Sequence, residues 1–342
     1  MSAPVIVTGA AGFIGMHLCR RLLADGRSVV GIDNLNDYYD PRLKRARLAA
    51  LAGFEDFSFH EADVADRTAI DALFDTHRPQ QVVHLAAQAG VRYALTNPMA
   101  YSDSNLAGMA VMLEACRRLE VRHFVFASSS SVYGANRKLP FSERDPVDHP
   151  VSLYAATKRA NELMAHSYAH LFALPVTGLR YFTVYGPWGR PDMAIWKFTD
   201  ALLRGKPIDV YGGGLLSRDF TYIDDTVEAT VRLLEVPREP SSSANPADWN
   251  ADGPDTSWAP FEVVNLGRSD PVSVNELIAR LEALTGRRAL RNEMGMQPGD
   301  VERTFSSTDK LVRMTGFTPK VPLDEGLRAF VAWFREYHRI DR

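Results

Sequence analysis

Short apolar runs alternate with segments of helical periodicity through the first half of the chain. Pro4-Val-Ile-Val-Thr8 is the first run. It leads into Gly9-Ala-Ala-Gly12-Phe-Ile-Gly15 and an amphipathic stretch to Asp25, which reads as strand, glycine turn and helix. Residues 28–33, 57–62, 81–85, 123–128 and 175–181 are further strand-like runs, and residues 99–118 and 154–173 carry helical spacing. Strands alternating with helices predict a parallel, doubly wound sheet, with ligands bound beyond the carboxyl ends of its strands. Gly9, Ala86, Ser129 and Phe182 all fall just past predicted strand ends, so they are expected to share one cleft.

After Tyr181 the alternation stops. Residues 183–191 carry turn chemistry, 193–204 read as a helix, and 208–211 as a short strand before Gly212-Gly-Gly214. Residues 218–225 read as a strand running into a helix N-cap, 261–265 as a last strand, and 273–284 and 323–339 as helices. The stretch 237–260, rich in Pro, Ser, Asn and Asp, reads as a long surface loop. The fold class expected is α/β, a Rossmann-type doubly wound parallel sheet with a smaller, interleaved C-terminal lobe for substrate. Residues 1–182, completed by about 219–236 and 261–268, would bind the dinucleotide; 183–218, 237–260 and 269–342 would form the second lobe.

Composition narrows the class. The chain has 342 residues, 46% hydrophobic and 24% charged, ample for one large two-lobed domain. A net charge of −3 with both signs dispersed leaves no basic footprint for nucleic acid or a membrane surface. Cys19 and Cys116 both fall in predicted helices, give no metal-ligand spacing, and fit a reducing compartment. No basic n-region precedes the first strand, and no apolar run approaches the ~20 residues of a membrane helix. These features predict a cytoplasmic protein.

The glycine turn carries the first chemistry. Glycines let backbone approach a pyrophosphate, the following helix N-terminus favours its charge, and Asp33, eighteen residues after Gly15, can accept bonds from an adenosine ribose. Asp33 would repel a 2′-phosphate, so NAD is expected over NADP. Asp63 and Val64 end the third strand where a side chain can meet the adenine edge, and Ala86-Ala87 are small enough for close approach to a cofactor. His84 lies inside an apolar run and reads as a core or supporting histidine. The second chemistry lies in Ser128-Ser-Ser-Ser131 and Tyr154-Ala-Ala-Thr-Lys158. Tyr154 and Lys158 are four apart on one helix face, and an ammonium beside a phenol favours the phenolate. A nearby serine can orient the hydroxyl whose proton that phenolate takes.

With these motifs together, the chain resembles the extended short-chain dehydrogenase/reductase family from end to end, and within it the nucleotide-sugar 4-epimerases. The resemblance rests on Thr8-Gly9-x-x-Gly12-x-x-Gly15, the serine-rich segment ending Val132-Tyr133-Gly134, Tyr154-x-x-x-Lys158, Arg218-Asp-Phe-Thr-Tyr-Ile-Asp-Asp225 and Pro298-Gly-Asp300. Gln88-Ala-Gly-Val-Arg-Tyr93 and residues 182–193 are similar to the subgroup acting on UDP-glucuronate. The resemblance implies bound NAD, with Ser129, Tyr154 and Lys158 catalytic. Gly9, Gly12, Phe13, Ile14, Gly15, Asp33, Asn34, Asp63, Val64, Leu85, Ala86, Ala87 and Tyr181 would surround the cofactor. Arg92, Ser130, Ser131, Thr183, Arg190, Lys197, Tyr211, Arg218 and Asp300 would meet the sugar nucleotide. Among these, Ser130, Ser131, Thr183 and Arg190 would hold the sugar carboxylate; Arg218 would meet the diphosphate and Asp300 the uridine ribose. The family's arginine shortly before that acid is Gln297 in this chain.

The implied reaction is reversible C4 epimerisation of UDP-glucuronate and UDP-galacturonate, without metal, by a homodimer paired through helices such as 99–118 and 154–173. The alternatives are a 4-epimerase of UDP-glucose and UDP-galactose, a UDP-glucuronate decarboxylase, and a non-catalytic NAD-binding regulator. Dehydratases of the family carry Thr-Asp-Glu after the strand and decarboxylases a glutamate before the Val-Tyr-Gly, where this chain has Ser130 and Ser131. Relatives that only bind NAD usually lose the tyrosine. Trp188 and Trp196 are each as compatible with simple packing as with a place in the site wall.

Overall fold

The computed structural model describes residues 3–239, 253–296 and 301–340. The chain opens as Val5–Thr8 (β1), Phe13–Ala24 (α1), Val29–Asp33 (β2), Pro41–Ala49 (α2), Phe57–Glu61 (β3), Arg67–His77 (α3) and Gln81–His84 (β4). Met99–Tyr101 (α4) runs through a π-helical segment, Ser102–Ala107, into Gly108–Arg118 (α5). His123–Ser129 (β5), Leu153–Phe172 (α6) and Val176–Tyr181 (β6) complete the first half. The second half is Thr183–Tyr185 (β7), Ala194–Arg204 (α7), Pro207–Tyr211 (β8), Ser217–Tyr222 (β9), Ile223–Leu234 (α8), Phe261–Leu266 (β10), Pro271–Ser273 (β11), Val274–Thr285 (α9), Leu290–Met294 (β12), Asp309–Thr315 (α10) and Leu323–His338 (α11).

The seven strands of the main sheet lie in the order β10-β6-β5-β4-β1-β2-β3, all parallel. Helices cover both faces, which is why the inner strands are apolar along their length instead of alternating. On one face Met16, Leu18 and Leu22 of α1 pack with Val227 and Leu233 of α8 and Leu311 of α10. On the other, Ile70 and Phe74 of α3 pack with Met109, Met112 and Leu113 of α5 and Ala165 and Ala169 of α6. Register brings Thr8 opposite His84, and Ser129 opposite Tyr181, so the carboxyl ends of β1, β4, β5 and β6 open on one edge. A separate core joins α7, α9 and α11 with β8 and β9 through Ile195, Leu202, Ile208, Phe220, Leu277, Leu281, Phe330 and Phe334.

The sheet and its interleaved second lobe match the pattern of apolar runs. Three local features differ from it. Residues 183–191 do not form turn throughout: Thr183–Tyr185 is a strand parallel to β9, which pairs in turn with β11. Three residues are too few to display a strand's period, and the partner lies far along the chain. Residues 219–222 belong to this small sheet, and 223–234 pack on α1, whereas α10 sits against α8 and β10 beside the main sheet. Finally, the described part of the expected surface loop, residues 253–260, is half buried, with none of its residues exposed. Its Asp255 meets Lys310 at 2.6 Å, and Lys310 also reaches Glu262 at 2.5 Å. Polar composition there reflects a buried ion cluster instead of solvent contact. Residues 240–252 lie outside the described residues.

Beneath the serine run, Glu162 of α6 and Arg180 of β6 pair through Nε at 2.8 Å and Nη2 at 2.9 Å, with neither side chain exposed. Glu162 also accepts from the Ser128 hydroxyl at 2.6 Å, and Arg180 reaches the Tyr133 hydroxyl, which donates to Asn265. Desolvating both ions is costly and is offset only while all these partners are present. Arg180→Ala should therefore lower stability by about 3–5 kcal/mol, the range for a buried charge that loses its partner. Urea unfolding followed by circular dichroism checks this, and a loss below about 1 kcal/mol would show the pair to be solvated.

Candidate active site

The carboxyl edge of the sheet and the second lobe enclose a cavity of about 820 Å³. That is toward the large end of ligand pockets, roughly 300–1,000 Å³. At one end lies the turn between β1 and α1. Gly9 has φ +72°, and a Cβ there would come within 2.9 Å of the Ala86 nitrogen; one on Gly15 would lie 2.0 Å from the Gly9 carbonyl oxygen. No side chain caps the N-terminus of α1, so its first amide N–H groups stay available to a phosphate. Asp33 is held by the amides of Ala11 at 3.2 Å and Leu35 at 2.9 Å, with Lys44 at 3.7 Å. A bare helix start, a cradle that any Cβ would fill, and a fixed carboxylate at the end of β2 fit a dinucleotide.

Phe13, Ile14, Asn34, Val64, Leu85, Ala87 and Tyr181 also line the cavity, as expected. Asp63 does not. Its carboxylate is turned to Asn34, whose amide donates at 2.8 Å, and to the Ala65 N–H at 2.9 Å, so its contact with the site runs through Asn34. His84 is buried, bonds the Thr8 hydroxyl at 2.8 Å, stacks on Phe124, and is pulled down to a pKa of about 3 by burial. It is a neutral core histidine.

Tyr154 stands in the first turn of α6, which Ser152 caps by accepting the Ala155 N–H at 3.1 Å. Ser129, at the end of β5, accepts the Ser131 N–H at 3.2 Å and donates to the Ser131 hydroxyl at 3.2 Å. Burial raises the pKa of Tyr154; the neighbouring Ser129 side chain and the charge of Arg190 lower it, and the charge of Asp192 adds to the rise. Lys158 does not sit against the phenol as a direct partner: its ammonium donates to the Ala127 carbonyl at 2.8 Å. Burial lowers Lys158 to about 8. Helical spacing places both groups on one face, but the carbonyl at the end of β5 captures the longer side chain.

Arg190 reaches the same wall from a tightly bound loop. Trp188 has φ +65°. Arg47, fully buried on α2, donates to the carbonyls of Trp188 at 2.7 Å, Gly189 at 3.0 Å and Ala11 at 3.1 Å. His17 of α1, neutral because burial drives it to about 3, bonds the Pro187 carbonyl at 3.0 Å. The glycine turn and the Arg190 loop are thus one mechanical unit. Burial opposes the charge on Arg190, but Asp192, gripped through Nε at 2.9 Å and through Nη2, outweighs it.

Ser130, Ser131, Thr183, Arg92, Lys197, Tyr211 and Arg218 complete the lining. Arg92 lies over the Tyr211 ring at 4.8 Å, joining the two lobes across the cavity. Trp196 lines the cavity, while Trp188 packs on Trp333 and Tyr337. Asp300 falls outside the described residues, as does Gln297. Tyr38, Lys44 and Asp192 line the cavity without having been singled out from the sequence. Asn105 is a further supporting residue. The π segment turns it inward, where its side chain bonds the Gln88 N–H and carbonyl and the Thr157 hydroxyl, and its freed carbonyl accepts from Asn161 at 2.6 Å. A polar residue in a helical run was the available signal for it. Among the described residues, no cluster of His, Cys, Asp and Glu could hold a metal ion, and no helix is long and apolar enough to cross a membrane.

Comparison with known proteins agrees with this geometry. The model of the NAD dependent epimerase/dehydratase family matches residues 5–251. A probable UDP-glucuronate 4-epimerase of Rhizobium meliloti is 50% identical, over 98% of this chain and 97% of that one. A UDP-glucuronic acid 4-epimerase from Bacillus cereus, solved with UDP-glucuronic acid and NAD, superposes with a TM-score of 0.87 at 33% identity, covering 98% of this chain and 99% of that one. A UDP-glucose 4-epimerase from Thermotoga maritima, solved with UDP-glucose, gives a TM-score of 0.84 at 31% identity, covering 98% and 99%.

Burial of Lys158 makes a prediction for the cofactor-stripped protein. Its pKa falls from 10.5 unfolded to about 8 folded, so keeping the proton penalises the fold fully below pH 8, and the penalty fades as pH rises toward 10.5. Lys158→Met should therefore stabilise the stripped protein at pH 7 by about 1–3 kcal/mol, with the gain shrinking above pH 8. Thermal melts across pH 6–10 test it; a destabilised variant at pH 7 would contradict it.

Proposed function

The chain belongs to the NAD dependent epimerase/dehydratase family, and from that premise we propose that it interconverts UDP-glucuronate and UDP-galacturonate at C4. The observation that carries this reading is Arg190. A guanidinium close enough to influence the Tyr154 phenol shares the cavity wall with the hydroxyls of Ser130, Ser131 and Thr183. An arginine fork with several hydroxyls is what a sugar carboxylate needs when it leaves water. The positions that would carry acids in a dehydratase or decarboxylase are Ser130 and Ser131, which cannot protonate a leaving group.

Bound NAD supplies a reversible hydride acceptor for C4 and ends each cycle unchanged. Ser129 orients the C4 hydroxyl and Tyr154 takes its proton. The raised pKa of the buried phenol means that nearby positive charge is required to form phenolate at neutral pH. Lys158, buried beside the Ala127 carbonyl, supplies that charge together with Arg190, whose influence on the phenol Asp192 partly offsets. The 4-keto sugar then turns in the cavity so that its other face receives the hydride. A C5 carboxylate next to that ketone is prone to leave as CO₂, and Arg190 with the Thr183, Ser130 and Ser131 hydroxyls holds it out of the cleaving geometry. Such charge-assisted bonds contribute about 1.5–3 kcal/mol each. At the nucleotide end, Arg218 serves the diphosphate, with Lys197, Arg92 and Tyr211 around it.

The same reading includes a cytoplasmic homodimer; the free, buried Cys19 and Cys116 suit a reducing compartment. Pairing through α6 is supported by Leu163, Leu171 and Phe172, which are 56%, 66% and 47% exposed on that helix.

Two variants test the assignment. Tyr154→Phe should retain NAD and lose turnover by about 10³-fold or more, read by coupled assay; normal turnover would remove Tyr154 from the chemistry. Arg190→Ala should weaken UDP-glucuronate binding about 10-fold or more while changing UDP-glucose binding little, read by calorimetry on the NAD-loaded enzyme. An equal loss for both sugars would deny Arg190 its role at the carboxylate.

A further inference from the structure

The guanidinium assigned to the substrate is already engaged by a carboxylate of the protein. Asp192 accepts from Arg190 Nε at 2.9 Å with one oxygen and from Nη2 with the other. Both side chains are 26% exposed, and both line the cavity, so the pair stands on the wall facing substrate. Asp192 also accepts from the Tyr38 hydroxyl at 3.2 Å. Tyr38 is fixed by its ring contact with Tyr93, 4.9 Å between centroids, so the carboxylate has a second anchor from the dinucleotide-binding half. A guanidinium has five N–H donors. Asp192 uses one on Nε and one on Nη2, which leaves the two on Nη1 and one on Nη2 for another acceptor.

We propose that Asp192 is a specificity- and turnover-setting residue that competes with the sugar carboxylate for Arg190, so that the acidic 4-keto sugar is held without being trapped in one orientation. This rests on the reading of Arg190 as carboxylate ligand. The physical requirement follows from the reaction. Between removal and return of hydride the sugar must turn over, and its C5 carboxylate must leave the place it first occupied. A full ion pair to an uncompensated buried arginine would bind the starting orientation and resist that motion, lowering KM and kcat together. With Asp192 on the opposite edge, the charge of Arg190 is already largely balanced, and Arg190 stays paired while the substrate carboxylate is in transit. Asp192 is well placed for this because its own carboxyl, although raised by burial, is held ionised by Arg190 and by the Tyr38 hydroxyl. A neutral sugar makes no such demand, so the effect of Asp192 on binding is confined to acidic substrates.

The test is Asp192→Asn, which keeps size and one accepting oxygen but removes the charge. In the NAD-loaded enzyme, UDP-glucuronate should bind 3- to 10-fold more tightly by calorimetry and turn over at least 5-fold more slowly. UDP-glucose affinity should change less than 2-fold. Asp192→Glu, which restores the charge, should return both parameters toward the parent enzyme. Weaker UDP-glucuronate binding, or equal changes for both sugars, would overturn the proposal and leave Asp192 as a mere brace for the loop. The two single variants, Arg190→Ala and Asp192→Asn, together separate the two ideas. If Arg190→Ala alone fails to discriminate between the sugars, the carboxylate assignment itself is wrong. If it discriminates and Asp192→Asn does not, only the competition is wrong.

Discussion

Arg180 and Glu162 pair through two hydrogen bonds with no solvent exposure, and the placement of Tyr154 depends on that pair. Glu162 lies on the helix that carries Tyr154, Arg180 on the neighbouring strand, and Ser128, which also donates to Glu162, one residue before Ser129. The pair therefore sets the rotation and axial position of α6 against the end of β5. A buried ion pair adds little net stability over apolar packing, but it tolerates few alternative arrangements because each missing partner leaves a charge unsolvated. In this protein the restriction falls where, in the proposed reaction, the Ser129 hydroxyl and the Tyr154 phenol meet one substrate hydroxyl.

A second restriction joins the halves of the molecule. Arg47 spans from the glycine turn to the loop bearing Arg190, His17 holds the same loop from α1, and Arg92 covers Tyr211 from across the cavity. Arg47 and His17 bond backbone carbonyls, so the loop is located without consuming its own side chains. The charge of Arg190 acts against the burial that raises the Tyr154 phenol, and the charge of Asp192 acts with that burial. Burial works against both cationic side chains as well, and Arg190 overcomes it through Asp192, whereas Lys158 is left near the middle of its titration range at mildly alkaline pH.

Much of the fold was legible because its signals are local. The inner strands of the main sheet carry apolar runs, the glycines sit where backbone meets backbone, and the serine run and tyrosine fall at strand and helix ends. What was hidden depends on contacts between distant residues. The strand Thr183–Tyr185 takes its pairing from β9, and the half-buried state of residues 253–260 comes from Lys310. Asp63 does not itself line the cavity, and its oxygens accept from Asn34 and Ala65. Tyr154 and Lys158 have the expected spacing, yet no spacing rule reveals that the Ala127 carbonyl is the nearer partner for the lysine. Asp192, two residues after Arg190, was in view, and only the folded loop shows its carboxylate on the guanidinium.

The central claim is that one cavity combines a tyrosine base, reversible hydride storage on bound NAD, and a cradle for a sugar carboxylate that preserves it. Incubating the purified protein with UDP-glucuronate, without added NAD, and following the sugar by NMR tests all three together. The account predicts an equilibrium mixture of UDP-glucuronate and UDP-galacturonate with no net accumulation of NADH. Formation of UDP-pentose with release of CO₂, or no conversion by NAD-loaded protein, would contradict it.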